Sequence, residues 1–162
     1  MSDALKTVGL GMCWEELDVG FKFQTIGRTI TEADLVAFIN CTGMVEVLFT
    51  DVEYANTHSP MQGRVVPGAL AYTMSEGLLV QSTMQHTGLA FLNMEFNVLG
   101  PTFVGDTIHV EVEVLESRAT SKGRGLVRTM NHIVNQHGKS VIDYNPLRIV
   151  AGLERRDGTA HS

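Results

Sequence analysis

Residues 68–85 read Gly-Ala-Leu-Ala-Tyr-Thr-Met-Ser-Glu-Gly-Leu-Leu-Val-Gln-Ser-Thr-Met-Gln, and this stretch decides the fold. Ala69, Leu70, Ala71, Met74, Leu78 and Leu79 leave almost no polar stripe, so the spacing predicts a helix buried on most sides. Gly68, Ala69, Ala71, Ser75 and Gly77 are small, which predicts close approach by the surrounding backbone. One charge interrupts the run: Glu76, where burial demands a partner or a raised pKa.

Beyond the helix the period changes, at about His86, from helical to extended. Ile108, Val110, Val112 and Val114 alternate with His109, Glu111 and Glu113, a strand with one wet and one dry face. Residues 89–99, 125–135 and 139–151 are the other extended runs, and Asn135-Gln136-His137-Gly138 reads as the turn joining the last two. Pro146 predicts a bulge or an edge position in the final strand. Before the helix, 21–30 is a short β-like run. Thr31-Glu32-Ala33-Asp34 then forms an N-cap signature, with Gly43 as the stop, and 51–55 reads as a short acidic-led helix. One apolar helix among long antiparallel strands is an α+β pattern in which the sheet wraps the helix. The chain reads as a single domain, 1–162, with its core at about 21–151; roughly ten residues at the start and the last nine look loose.

Composition narrows the function. The 162 residues carry 12 Lys+Arg against 18 Asp+Glu, a net charge of −6, with 44% hydrophobic and 19% charged residues. That balance argues against a surface tracking nucleic acid or an anionic membrane, although a local basic pocket can still take a small anion. Cys13 and Cys41 form no CxxC pair and read as buried thiols; no signal-peptide pattern and no membrane-length apolar run occurs, so a cytoplasmic protein is expected. No two His stand at metal-ligand spacing, so no metal is expected.

Several segments together resemble the MaoC-like dehydratases, which include the (R)-specific enoyl-CoA hydratases. They are Thr42-Gly43, Thr50-Asp51-Val52-Glu53-Tyr54-Ala55, Gly63-Arg64-Val65-Val66-Pro67-Gly68-Ala69-Leu70, Glu76-Gly77-Leu78-Leu79, Gly100-Pro101-Thr102-Phe103-Val104-Gly105-Asp106-Thr107 and Asn135-Gln136-His137-Gly138. The resemblance implies a hot-dog fold and a homodimer or higher oligomer whose sheets join. It also implies a lyase of fatty acid metabolism whose substrate is an acyl thioester on coenzyme A or an acyl carrier protein, with no separate cofactor. The free amino-terminus of the long helix suits a thioester carbonyl, and the Gly68 N–H is the chosen donor.

The sequence departs from that family where the resemblance places an Asp/His pair. Met44 stands at the Asp position, Glu46 at a following Asn and Phe49 at the His; Met and Phe cannot carry a proton. Glu46 and Glu76 are the remaining candidate catalytic groups, and Met44, Val47 and Phe49 are candidates for lining an acyl channel. Arg64, Lys122, Arg124, Arg128 and Arg148 are the cations that could meet coenzyme A phosphates. Three readings stay open: a hydratase using Glu46 or Glu76, a thioesterase using Glu76 as base or nucleophile, and a non-catalytic subunit of a heteromeric hydratase.

Overall fold

The computed structural model describes residues 5–156. In chain order these form β1 (Lys22–Gln24), β2 (Arg28–Thr29), α1 (Glu32–Thr42), α2 (Val47–Thr50), α3 (Val52–His58), α4 (Gly68–Thr83), β3 (Gly88–Asn93), β4 (Phe96–Val98), β5 (Thr107–Ala119), β6 (Arg124–Val134), β7 (Ser140–Tyr144), β8 (Leu147–Ala151) and α5 (Leu153–Arg156).

The alternating run at 108–114 becomes the spine of the sheet. β5 pairs with β6 from His109↔Val134 to Ala119↔Gly125, with a bulge between Val114 and Glu116. Val110, Val112 and Val114 are buried, and Glu111 faces solvent, as the period requires. Three further lines of strand are each broken in two. β1 and β2 both pair with β5; β7 and β8 both pair with β6; β4 pairs with β7 and β3 with β8.

Pro146 lies at one of these breaks rather than at an edge, because both pieces flanking it remain paired to β6. Its carbonyl accepts a hydrogen bond from Thr129 N–H, so the missing donor of proline falls where the ladder is already interrupted. The break between β3 and β4 sits beside it: Asn145 N–H donates to Glu95 O, and Glu95 N–H donates to Asn145 Oδ1 at 2.7 Å. Aligned breaks in neighbouring strands let the sheet bend around α4.

α4 buries Leu70, Ala71, Met74, Ser75, Leu78 and Leu79, two adjacent rows on one face. Ala69, Thr73 and Val80 are exposed, so the helix is enclosed on one side and not on most sides. Its glycines do not serve close packing either. A Cβ on Gly77 would meet nothing within 4 Å, and one on Gly68 would touch Val98 at an ordinary 3.6 Å. The close approach occurs at Gly125, where a Cβ would fall 2.3 Å from the Trp14 side chain.

Trp14 belongs to a strap over one end of the sheet. Gly11 and Met12 N–H donate to Gln85 and Thr83 carbonyls. At the other end of the chain, Arg156 donates to Gly11 O and pairs with Glu16 at 2.7 Å, while Leu153 N–H reaches the Glu15 carboxylate. Of the expected tails, residues 154–156 are helical and tied down, not loose; residues 5–10 belong to no helix or strand and 5–9 are exposed; 1–4 and 157–162 lie outside the described residues.

α1 begins as its cap signature demands. Thr31 Oγ1 accepts from Asp34 N–H, and the Asp34 carboxylate accepts from Thr31 N–H and Oγ1. Gly43 ends the helix at φ 72°. Cys13 is buried, but Cys41, on the outer face of α1, is exposed.

Candidate functional site

The amino-terminus of α4 is reached through Pro67, which is buried and offers no side-chain cap. Among the described residues no hydrogen bond engages the Gly68 or Ala69 N–H, so the first turn of the helix presents donors. The segment entering it is braced. Val66 N–H donates to Thr102 O, Val104 N–H donates to Arg64 O, and Phe103 N–H donates to the Asp106 carboxylate at 2.8 Å. Gln136 then joins Asp106 to the hairpin turn, donating to Asp106 Oδ1 at 2.8 Å and accepting from Thr107 N–H at 3.0 Å. Thus the 100–107 and 135–138 motifs meet and hold the approach to Gly68.

The candidates between α1 and α3 have different surroundings. Met44 and Val47 are 39% and 38% exposed. Glu46 caps the single turn of α2, its Oε2 accepting from Leu48 N–H at 2.7 Å. Phe49 alone turns inward, packing against the cluster that contains Leu70 and Ala71. Its carbonyl accepts a hydrogen bond from Arg64, which also grips the Glu32 carboxylate at 2.6 Å. That contact holds the Glu32 carboxyl below its ordinary pKa and raises that of Arg64. Arg64 thereby ties the loop to the segment leading into α4 and has its charge matched internally.

Glu76 lies elsewhere. Eight residues along an α-helix is about 12 Å, so its carboxylate belongs to the middle of α4 and not to the turn that begins at Gly68. Both of its oxygens are bonded: Oε1 accepts from the Tyr144 hydroxyl at 2.8 Å and Oε2 from Arg148 Nη2 at 2.6 Å. The Glu76 and Arg148 side chains are 17% and 15% exposed, so the pair is largely withdrawn from water. Burial, and then the nearby Glu76 charge, push the Tyr144 hydroxyl well above its ordinary pKa, so it is a fixed donor. Tyr144 packs edge-on to Tyr72 at 5.2 Å, and Tyr72 edge-on to Phe96 at 5.5 Å, an aromatic brace around the carboxylate.

Sequence reasoning found Glu76 but missed its partners. Tyr144 and Arg148 share the inner phase of β7 and β8 with Ile142 and Val150, and Asn131 shares that of β6 with Val127 and Ile133. The signal was a polar residue on an otherwise apolar strand phase.

The remaining expected cations are also placed. Arg128 donates to Asn145 O and Asn93 Oδ1, Lys122 sits in an exposed turn at φ 68°, and Arg124 begins β6. His58 stacks on Tyr54 and His132 pairs with Asp143 at 2.7 Å. Burial raises the Asp143 pKa, but hydrogen bonds from Ser140 and His132 outweigh it and leave that carboxyl below its ordinary value. Among the described residues no group of three or more His, Cys, Asp or Glu is arranged to hold a metal, and no helix is long and apolar enough to cross a membrane.

Comparison with known proteins gives a consistent result. Residues 17–136 match the family model described as a MaoC-like domain. No curated protein sequence matches. Among solved structures, an R-hydratase from Pseudomonas aeruginosa is 27% identical with TM-score 0.74, covering 88% of this chain and 87% of its own. A MaoC-like dehydratase from Rhodospirillum rubrum is 26% identical with TM-score 0.75, over 88% of this chain and 98% of its own. A Mycobacterium tuberculosis protein described as a double hot-dog fold, 19% identical with TM-score 0.78, matches 91% of this chain and 46% of its own.

Proposed function

Because the chain belongs to the MaoC-like dehydratase family and has the hot-dog fold, we propose that it binds acyl thioesters, carried on coenzyme A or an acyl carrier protein, at the amino-terminus of α4. The observation that carries this reading is the pair of unengaged N–H groups at Gly68 and Ala69, held in place by the Thr102–Asp106 segment. A thioester carbonyl gains most from donors that are already oriented and need no rearrangement.

Hydration of an enoyl thioester also needs one group to take a proton from water and another to protonate the α-carbon. Met44 and Phe49 can do neither. Glu46 is used in capping α2, and Glu76 is about 12 Å along the helix from Gly68 with both oxygens hydrogen-bonded. The chain therefore holds substrate and shapes the channel, with Met44, Val47 and Phe49 as apolar lining, and the proton-transfer pair comes from a second kind of subunit in a heteromeric hydratase. The sheet edge suits such an assembly: among the described residues β3 pairs only with β8, and it leaves Phe91 and Leu92 46% and 48% exposed.

Gly68→Pro tests the site. Proline is favoured at the first helical position and deletes the N–H without breaking the helix, and the extended Pro67 before it is already compatible. Crotonyl-CoA binding measured by calorimetry is expected in the wild type and about tenfold weaker in Gly68→Pro, corresponding to the loss of one hydrogen bond. The wild-type chain alone is expected to leave crotonyl-CoA unhydrated; turnover by it would overturn the assignment of proton transfer to another subunit. Thiol release from acyl-CoA that disappears in Glu76→Gln would replace the binding role with hydrolysis.

A further inference from the structure

A cavity of about 50 Å³ lies inside the sheet, beside the carboxyl-terminal half of α4. Leu79, Met84 and Val112 give it apolar walls, and Thr129, Asn131 and Arg148 interrupt them. Asn131 is 1% exposed, and its Oδ1 accepts no hydrogen bond among the described residues. An amide carbonyl withdrawn from water and left unpaired is costly, so this oxygen calls for a donor that the described residues do not supply.

The cavity also has a way in. Met84, Gly88 and Arg148 line both the cavity and a surface groove that runs past Val80 and Phe91. Arg148 stands at that boundary, bonded to Glu76 through Nη2, with its guanidinium carbon 5.2 Å from the Phe91 ring centre.

We propose that this cavity is a binding pocket for a small hydroxyl-bearing group on an apolar body, entering past Met84 and Arg148 and donating its hydroxyl proton to Asn131 Oδ1. The chemistry selects a hydroxyl over its rivals. A carboxylate has no proton to give Asn131, and Glu76 already balances the Arg148 charge, so an anion would enter a site with no net attraction for it. A plain hydrocarbon fills the space between Leu79 and Val112 but leaves the Asn131 oxygen unpaired. The volume admits only a few non-hydrogen atoms, so the group is a short terminus and not a long chain. For the source of that terminus the inference rests on the proposed function: the ligand is an acyl thioester whose acyl end carries a hydroxyl.

The test separates the pocket from its source. The first arm titrates isotopically labelled protein with 1-butanol and with 1-chlorobutane, following NMR signals of the Asn131 amide and the Leu79 and Val112 methyls. The alcohol is expected to bind at these residues about tenfold more tightly than the chloride. Asn131→Leu is expected to erase that preference while keeping chloride binding, and Leu79→Phe, which fills the cavity, is expected to abolish both. Equal affinities, shifts confined to other residues, or no binding because water alone occupies the space would overturn the pocket. The second arm compares 12-hydroxydodecanoyl-CoA with dodecanoyl-CoA, chains long enough for a cavity whose Leu79 wall lies about 16 Å along α4 from Gly68. A hydroxyl preference lost in Asn131→Leu supports the acyl source. Alcohol binding without binding of either thioester keeps the pocket and overturns both the acyl source and the proposed function. Thioester binding without alcohol binding or hydroxyl preference keeps the proposed function and overturns the pocket.

Discussion

The loop at 43–50 and the middle of α4 each carry one carboxylate, and they use it under opposite conditions. Glu46 caps a single helical turn in contact with water, where the bond it makes replaces a bond to solvent of similar strength. Glu76 sits against the inner face of the sheet, where Tyr144 and Arg148 each donate to one of its oxygens in place of water. The same functional group is therefore nearly dispensable in one place and structurally binding in the other. Burial sets the difference, because an uncompensated charge is costly only where solvent cannot reach it.

Substitutions can break this contrast. Arg148→Met leaves Glu76 buried without its cation and is expected to cost about 3 kcal/mol in urea unfolding. The double variant Glu76→Leu/Arg148→Met is expected to recover most of that loss, since an apolar pair of similar volume carries no desolvation cost; a loss equal to the sum of the single variants would show that the two groups do not act as a pair. Tyr144→Phe removes one donor from the carboxylate and keeps the aromatic packing. An expected loss of about 1.5–2 kcal/mol, read from the same unfolding curves, follows from a hydrogen bond to a charged acceptor.

Two further carboxylates, Asp34 and Glu32, sharpen the comparison from the solvent side. Hydrogen bonds from the Thr31 side chain and backbone hold the Asp34 carboxyl below its ordinary pKa, and Arg64 does the same for Glu32. In each case the folded pKa lies below the unfolded value. The stability they contribute is thus complete above the unfolded pKa of roughly 4 and is lost as pH falls through the folded one. The urea midpoint is expected to drop on acidification across that window. Thr31→Ala, costing about 1 kcal/mol near neutrality, is expected to make the drop shallower. The smallest effect belongs to Glu46→Gln, whose stability is expected within about 0.5 kcal/mol of wild type.

What the sequence made legible follows the same division between local and distant causes. α1 and its ends are readable because Thr31, Asp34 and Gly43 act on their own backbone neighbours. The β5 alternation and the identity of α4 are readable because periodicity is local. The partners of Glu76 were not, because they lie 68 and 72 residues away and meet it only once β7 and β8 lie across the helix. Arg148 looked like a surface cation for a phosphate, and only its register opposite Val127 turns it inward. Likewise the spare donors of α4 could be expected from Pro67-Gly68, but not their bracing through Asp106 and Gln136, which joins two turns distant in sequence.

The strap that links Gly11 to Arg156 and Glu15 to Leu153 brings the two ends of the described chain to one corner of the molecule. The order in which the elements are threaded is then separable from their arrangement. A short linker between those ends, with new termini opened at the exposed Lys122–Gly123 turn between β5 and β6, would leave every pairing of the sheet intact except the turn itself.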